Sequence, residues 1–258
     1  MPIAAGLHYF LHKGGSKLRP PLVLIHNAGG DHLSWPPEIR RLLDQHVITL
    51  DLPGHGKTEG PGRQSIQAYA HDVAAFLDGI DLSRAVFIGH SMGGAIALVL
   101  ALNYPDRVAG IGLISTGPSL PIPASVIENA ANQSTLPLAI KRLQELSFGS
   151  LAPENLKELF FKSLSGTRQT LLLDDLLACD QFNLTDRLDA IRTPALVVCG
   201  TEDKLTPPRF SELLSQRIPG TALQMVDGAG HMLVLEQPRR LAKLISVFVA
   251  TIPYMPGM

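Results

Sequence analysis

Short runs of Val, Ile and Leu recur along the chain, separated by stretches with one apolar and one polar side. Leu22–Ile25, Val47–Leu50, Ala85–Ile88, Ile111–Ile114, Ala195–Cys199 and Ala222–Val226 are bounded by Pro, Gly or polar residues. Continuous apolar runs of this length predict strands buried on both faces. Ile3–Leu11 would add an edge strand or hairpin. Within Ser65–Leu77, residues Ile66, Tyr69, Ala70, Val73 and Leu77 fall on one helical face, and Ser65 is placed to cap it. Pro238 belongs in the first turn of a last helix that runs to about Ala250. Strands that alternate with helices pair in parallel through right-handed crossovers, which predicts an α/β sheet covered on both faces.

The alternation stops between 118 and 190. No strand pattern is visible there; Ala139–Leu146, Pro153–Ser163 and Leu171–Ala178 carry Leu and Phe at helical spacing, punctuated by Pro. The expectation is a core built from 1–117 and 191–258, with 118–190 as a small helical cap (lid) over one end of the sheet.

Composition narrows the class. The 258 residues suit one large domain, and 45% hydrophobic against 17% charged residues excludes a disordered chain. With 22 Lys+Arg against 23 Asp+Glu the net charge is −1, without a basic stripe for nucleic acid. Cys179 and Cys199 form neither a disulfide framework nor a zinc pattern, and Cys199 lies in an apolar run. The start, Met1 to Gly6, has no signal-peptide pattern. The longest apolar run, Ala95–Leu102, is far short of the roughly 20 residues that span a bilayer. A cytoplasmic protein without a membrane partner is expected, and homo-oligomerisation is left open.

The sharpest chemical feature is Gly89-His90-Ser91-Met92-Gly93-Gly94, between the strand Ala85–Ile88 and the apolar helix beginning at Ala95. A strand that turns abruptly into a helix strains its central residue and exposes that side chain above the sheet. Glycines on either side remove side chains that would clash. At the helix N-terminus, the Met92 N–H and the helix dipole favour developing negative charge. Without its strand and helix, the spacing would mark only a glycine-rich turn.

A serine hydroxyl needs a base. Of nine histidines, His90 would point away from its neighbour Ser91 and His71 lies on a polar helix side. His231 stands apart, in the loop Asp227-Gly228-Ala229-Gly230-His231 after a strand. The base needs an acid to fix its tautomer. Asp203, in Gly200-Thr201-Glu202-Asp203 after another strand, is the candidate; Glu202 is the weaker choice and Asp227 reads as structural. His26-Asn27-Ala28-Gly29-Gly30 follows the strand Leu22–Ile25 and could aim the Ala28 N–H at the same point as the Met92 N–H, making an oxyanion hole.

These segments, with Asp51-Leu52-Pro53-Gly54-His55-Gly56 and Glu236-Gln237-Pro238, resemble the α/β-hydrolase superfamily over nearly the whole chain. The order Ser91, Asp203, His231 is that of its triad. The resemblance implies a mostly parallel sheet of about eight strands, a helical cap after the sixth, and no cofactor; no metal is expected. Asp51–Gly56 would be a structural turn near the pocket mouth. One departure is Asn27, where relatives commonly carry Gly; Asn tolerates the positive φ that Gly would serve there. Ser91 excludes the relatives that use an Asp nucleophile. The expected activity is carboxylic ester hydrolysis through an acyl-enzyme, on a small or apolar ester or lactone, with Trp35 and Met92 bordering the pocket. Lactone or enol-lactone hydrolysis, carbon–carbon bond hydrolysis and a low-turnover receptor on the same fold are the alternatives.

Overall fold

The computed structural model describes residues 2–14 and 19–253; Met1 and 254–258, at the outer ends of the expected core segments, lie outside them. Among the described residues eight strands form one sheet: β1 (Ile3–Ala4), β2 (Leu7–Lys13), β3 (Leu22–Ile25), β4 (His46–Leu50), β5 (Ala85–His90), β6 (Val108–Ile114), β7 (Ala195–Gly200) and β8 (Ala222–Val226). Their order is β1-β2-β4-β3-β5-β6-β7-β8. β1 and β2 pair antiparallel, as do β2 and β4, and every other pair is parallel. The β1–β2 hairpin turns on Ala5 and Gly6, both at positive φ (46° and 80°), which suits the right-handed twist of the strands it joins.

The helices are α1 (Pro37–Arg40), α2 (Ile66–Gly79), α3 (Met92–Asn103), α4 (Ala124–Ala130), α5 (Leu136–Ser147), α6 (Glu154–Ser165), α7 (Gln169–Asp180), α8 (Pro208–Arg217), α9 (Leu233–Glu236) and α10 (Pro238–Ala250). Successive strand residues point to opposite faces, so two apolar layers form. Val23, Ile25, Phe87, Ile111 and Val197 meet α2, α3 and α8 on one face. Leu22, Leu24, Val86, Ile88 and Val198 meet α1 and α10 on the other. From Met92 to Ala101, α3 is buried on every side, so its apolar residues show no polar stripe. Ser65 caps α2, its Oγ accepting the Ala68 N–H at 3.2 Å.

β8 departs from the expectation of a buried strand. Ala222 is exposed and Leu223 half-buried, and burial alternates along the strand until Val226. As the last strand of the order, it has a paired neighbour on one side only.

Helices α4 to α7 lie between β6 and β7, in the segment expected to form the cap, and are called the cap helices below. The two ends of this insert meet: Ser119 and Asn183 form an isolated bridge, and the Leu184 N–H donates to the Pro118 carbonyl at 2.8 Å. From β3 the chain passes to β4 on one side, and later to β5 on the other. Ligands of open α/β sheets bind outside the strand ends at such a reversal, and the loops leaving β3 and β5 are His26–Gly30 and Ser91. Among the described residues, no helix is long and apolar enough to cross a membrane.

Candidate active site

Ser91 occupies the single residue between β5 and α3, at φ 54° and ψ −115°. Such a backbone is strained for a residue with a side chain, by about 1–3 kcal/mol, so its surroundings must hold it. The Ser91 N–H donates to the Ile114 carbonyl, and the Ser91 carbonyl accepts from the Gly94 N–H and the Thr116 hydroxyl, all at 2.9 Å. The flanking glycines are required by backbone packing. A Cβ on Gly89 would run into the Gly93 carbonyl, and one on Gly93 would run into the Ile25 carbonyl of the neighbouring strand. The α3 N-terminus therefore lies hard against the end of β3.

The His231 Nε2 stands 2.9 Å from the Ser91 Oγ. Its Nδ1 faces Asp203, 3.0 Å from Oδ2 and 3.2 Å from Oδ1. With the proton on Nδ1 directed at the carboxylate, Nε2 is left to accept from the hydroxyl. The Leu205 and Thr206 N–H groups donate to Asp203 Oδ1 at 3.0 and 2.8 Å, and the Thr206 hydroxyl donates to Oδ2 at 2.8 Å. Burial by itself would raise the Asp203 pKa. The facing imidazole and the Thr206 donors outweigh it and hold the carboxyl below its ordinary range. Glu202 instead receives the Ser150 N–H and hydroxyl on the exposed surface.

Two further residues hold the histidine loop, and the sequence pattern does not single them out for this. The buried His90 donates from Nε2 to the His231 carbonyl at 2.9 Å. Burial and the neighbouring His231 lower the His90 pKa to about 3, so its ring stays neutral. Glu236 accepts the Gly230 N–H at 3.0 Å and the Gly149 N–H at 3.1 Å, joining the loop to the end of cap helix α5.

The Ala28 and Met92 N–H groups, which flank the ends of β3 and β5, have no protein acceptor among the described residues. The Ala28 peptide is held from behind. Leu52 N–H donates to His26 Nε2 at 3.2 Å, which leaves the proton on Nδ1 to donate to the Asn27 carbonyl at 2.8 Å. The Gly30 N–H donates to the same carbonyl at 3.0 Å. Contrary to the expectation for its place in the motif, Asn27 is not at positive φ; that conformation falls two residues later, at Gly29 (φ 66°).

Ser91 and His231 open into a cavity of about 60 Å³ between the sheet and the cap. Its polar wall residues are Asn27, Ser91, Ser147, Thr206 and His231; the rest are apolar, and no Lys, Arg, Asp or Glu lines it. The expectation that Trp35 and Met92 border this pocket is corrected. Trp35 is 1% exposed and packs edge-on against His90, 6.4 Å between ring centres, within the core beneath the sheet. The Met92 side chain is fully buried in the opposite layer. Among the described residues no cluster of His, Cys, Asp and Glu could hold a metal ion.

The chain belongs to the α/β hydrolase fold family, whose model matches residues 20–238. It is similar to 2-hydroxymuconate semialdehyde hydrolase from Pseudomonas putida, 30% identical over 268 residues that cover 96% of this chain and 92% of that protein. Among solved structures it is similar to Est816, an N-acyl homoserine lactone degrading enzyme, with 29% identity, 94% and 96% coverage and a TM-score of 0.82. A thermophilic esterase matches with 27% identity, 95% and 94% coverage and a TM-score of 0.81.

Proposed function

We propose that this chain is a serine hydrolase of uncharged carboxylic esters, using Ser91 as nucleophile, His231 as general base and Asp203 as its orienting acid. The observation that carries the reading is the continuous line Ser91 Oγ–His231 Nε2, 2.9 Å, and His231 Nδ1–Asp203 Oδ2, 3.0 Å. As Ser91 Oγ bonds to the ester carbon, its proton passes to His231 Nε2, and the carbonyl oxygen takes the negative charge. The Ala28 and Met92 N–H groups meet that charge; losing one such donor typically costs about 2.7–4 kcal/mol of barrier. His231 then gives its proton to the alcohol oxygen as the carbon–oxygen bond breaks. Water, deprotonated by His231, attacks the acyl-enzyme, and Ser91 recovers its proton as the acid leaves.

The walls argue for the substrate class. Apart from Asn27, Ser91, Ser147, Thr206 and His231 the wall is apolar, which favours an uncharged ester or lactone with an apolar acyl part. A muconate is an anion, and a wall without Lys or Arg offers no charge partner for the carboxylate that such a carbon–carbon hydrolase substrate carries. Lactone hydrolysis remains the second reading, because the similarity to Est816 favours it and the same groups would open a cyclic ester.

The test is labelling with a fluorophosphonate, the adduct located by mass spectrometry, beside turnover of short p-nitrophenyl esters and a lactone panel. Modification of Ser91 and steady turnover of neutral esters are expected. An adduct on another residue would overturn the nucleophile, and preferential turnover of carboxylate-bearing dienoates would overturn the substrate class.

A further inference from the structure

Gly29, the residue after the proposed oxyanion donor Ala28, is gripped through both of its backbone polar groups by the cap. Its N–H donates to Asp175 Oδ2 at 2.7 Å, and its carbonyl accepts the Thr167 hydroxyl at 3.0 Å. Cap side chains also close over it so tightly that a Cβ there would lie 2.7 Å from Leu164 Cδ2 and 3.0 Å from Leu172 Cδ1. Asp175, on α7, has no solvent exposure.

The rest of the Asp175 carboxylate is filled from the core. Tyr69 of α2 donates its hydroxyl to Oδ1 at 2.5 Å, and His55 donates from Nε2 to Oδ2 at 2.8 Å. His55 Nδ1 lies 3.0 Å from the Pro53 carbonyl, which can only accept. Both ring nitrogens thus face oxygen atoms, and the adjacent Asp175 outweighs the cost of burial to raise the His55 pKa. The Tyr69 and His55 donors alone would join cap to core. The third bond reaches into the loop that carries the proposed oxyanion donor.

We propose that Asp175 is a positioning residue for the oxyanion hole: by fixing the Ala28–Gly29 peptide from the cap, it aims the Ala28 N–H at the point it shares with the Met92 N–H. This rests on the reading of Ser91 as an acyl-transfer nucleophile. The neighbouring peptide is already held by His26 and Gly30 through the Asn27 carbonyl. The Ala28 N–H belongs to that core-held peptide, and the Ala28 α-carbon joins it to the peptide held by the cap, so the two clamps together fix how the N–H is turned. The cap then acts on transition-state stabilisation as well as on the shape of the chamber.

The experiment compares full-length Asp175→Ala, Asp175→Asn and Thr167→Val with wild type. Turnover of p-nitrophenyl butyrate is expressed per active site titrated with the fluorophosphonate, so misfolded protein does not count. A trifluoromethyl ketone, which binds as a tetrahedral adduct, is paired with the methyl ketone of the same chain. In Asp175→Ala, kcat per site is expected to fall about ten- to hundredfold, in keeping with the cost of misplacing a reacting group by about 1 Å. KM should move less than about threefold, and the trifluoromethyl ketone alone should weaken in proportion to kcat. Thr167→Val and Asp175→Asn, which remove one bond or one charge, should lose about three- to tenfold. A kcat per site within twofold of wild type in Asp175→Ala, or equal weakening of both ketones, would overturn the proposal. Should Asp175→Ala fail to fold, values within twofold for the other two variants would do the same. Wild-type protein that neither labels at Ser91 nor turns over an ester would instead overturn the hydrolase reading.

Discussion

The His90 Nε2–H donates to the backbone carbonyl of His231 at 2.9 Å, tying the residue before the strained serine to the histidine that faces it. Neighbours on the elbow thus have separate duties. Ser91 points up into the chamber, and His90 points inward to hold the loop that carries the proposed base.

Replacing His90 with Phe keeps a ring in the core but leaves the His231 carbonyl without its donor. An unpaired buried acceptor costs about 1–3 kcal/mol of stability. Urea unfolding should show a loss of that size, with kcat reduced about tenfold as the loop loosens. Unchanged kcat would mean that Glu236 and the loop backbone hold His231 without help.

Asp203 and Glu202 are adjacent yet differ in environment. Asp203 is 3% exposed and faces His231, whereas Glu202 meets Ser150 at the surface. Asp203→Asn is expected to lower kcat by roughly 10⁴, as loss of the orienting acid does in a serine protease. Glu202→Gln should stay within about twofold, as surface substitutions usually do. Steady-state assays of both variants decide the assignment, and a reversed order would move the acid role to Glu202.

The same carboxylate sets a pH dependence of stability. Its folded pKa lies below the ordinary value because the facing imidazole and the Thr206 donors outweigh the cost of burial. The unfolded chain binds the proton more tightly, so the stabilisation is complete above the unfolded value of about 4 and is lost as pH falls through the lower folded value. The gap in urea midpoint between wild type and Asp203→Asn should hold steady from neutral pH to about pH 5 and close below that. A gap that widens in acid would contradict the sign.

Leu176 lies on α7, 2% exposed, and forms part of the chamber wall. Leu176→Ala should cost about 2–5 kcal/mol in thermal or urea unfolding, as buried Leu truncations do. It should also move the preferred acyl chain toward longer esters by about two carbons. A p-nitrophenyl ester series checks this; an unchanged chain-length optimum would place the acyl group elsewhere.

Much of this architecture was readable as pattern. Leu22–Ile25 and Ala222–Val226 are strands with the bounds their apolar runs suggest, and Pro238 opens a helix that ends at Ala250. Ser91, Asp203 and His231 stood out because each follows a strand run and sits among glycines or turn formers. The helix α4 was missed, since Ala124–Ala130 is short and carries little apolar spacing. Trp35 was misplaced because a lone aromatic near a loop reads equally as wall or core. Asp175 did leave a trace: it falls among Leu171, Leu172, Leu176 and Cys179 on one helical face, where a charge needs a buried partner.

The chain by itself determined which segments become strands and helices, where the glycine turns fall, and the kind of chemistry a serine, a histidine and an aspartate can share. Those properties depend on local spacing and residue type. Only the tertiary structure decided that Thr206 and His90 brace Asp203 and His231, that Asn27 needs no left-handed backbone, and that the Asp175 carboxylate reaches the loop after β3. Gly29 and Asp175 are separated by 146 positions, and a hydrogen bond across that distance exists only once the cap has folded down onto the sheet.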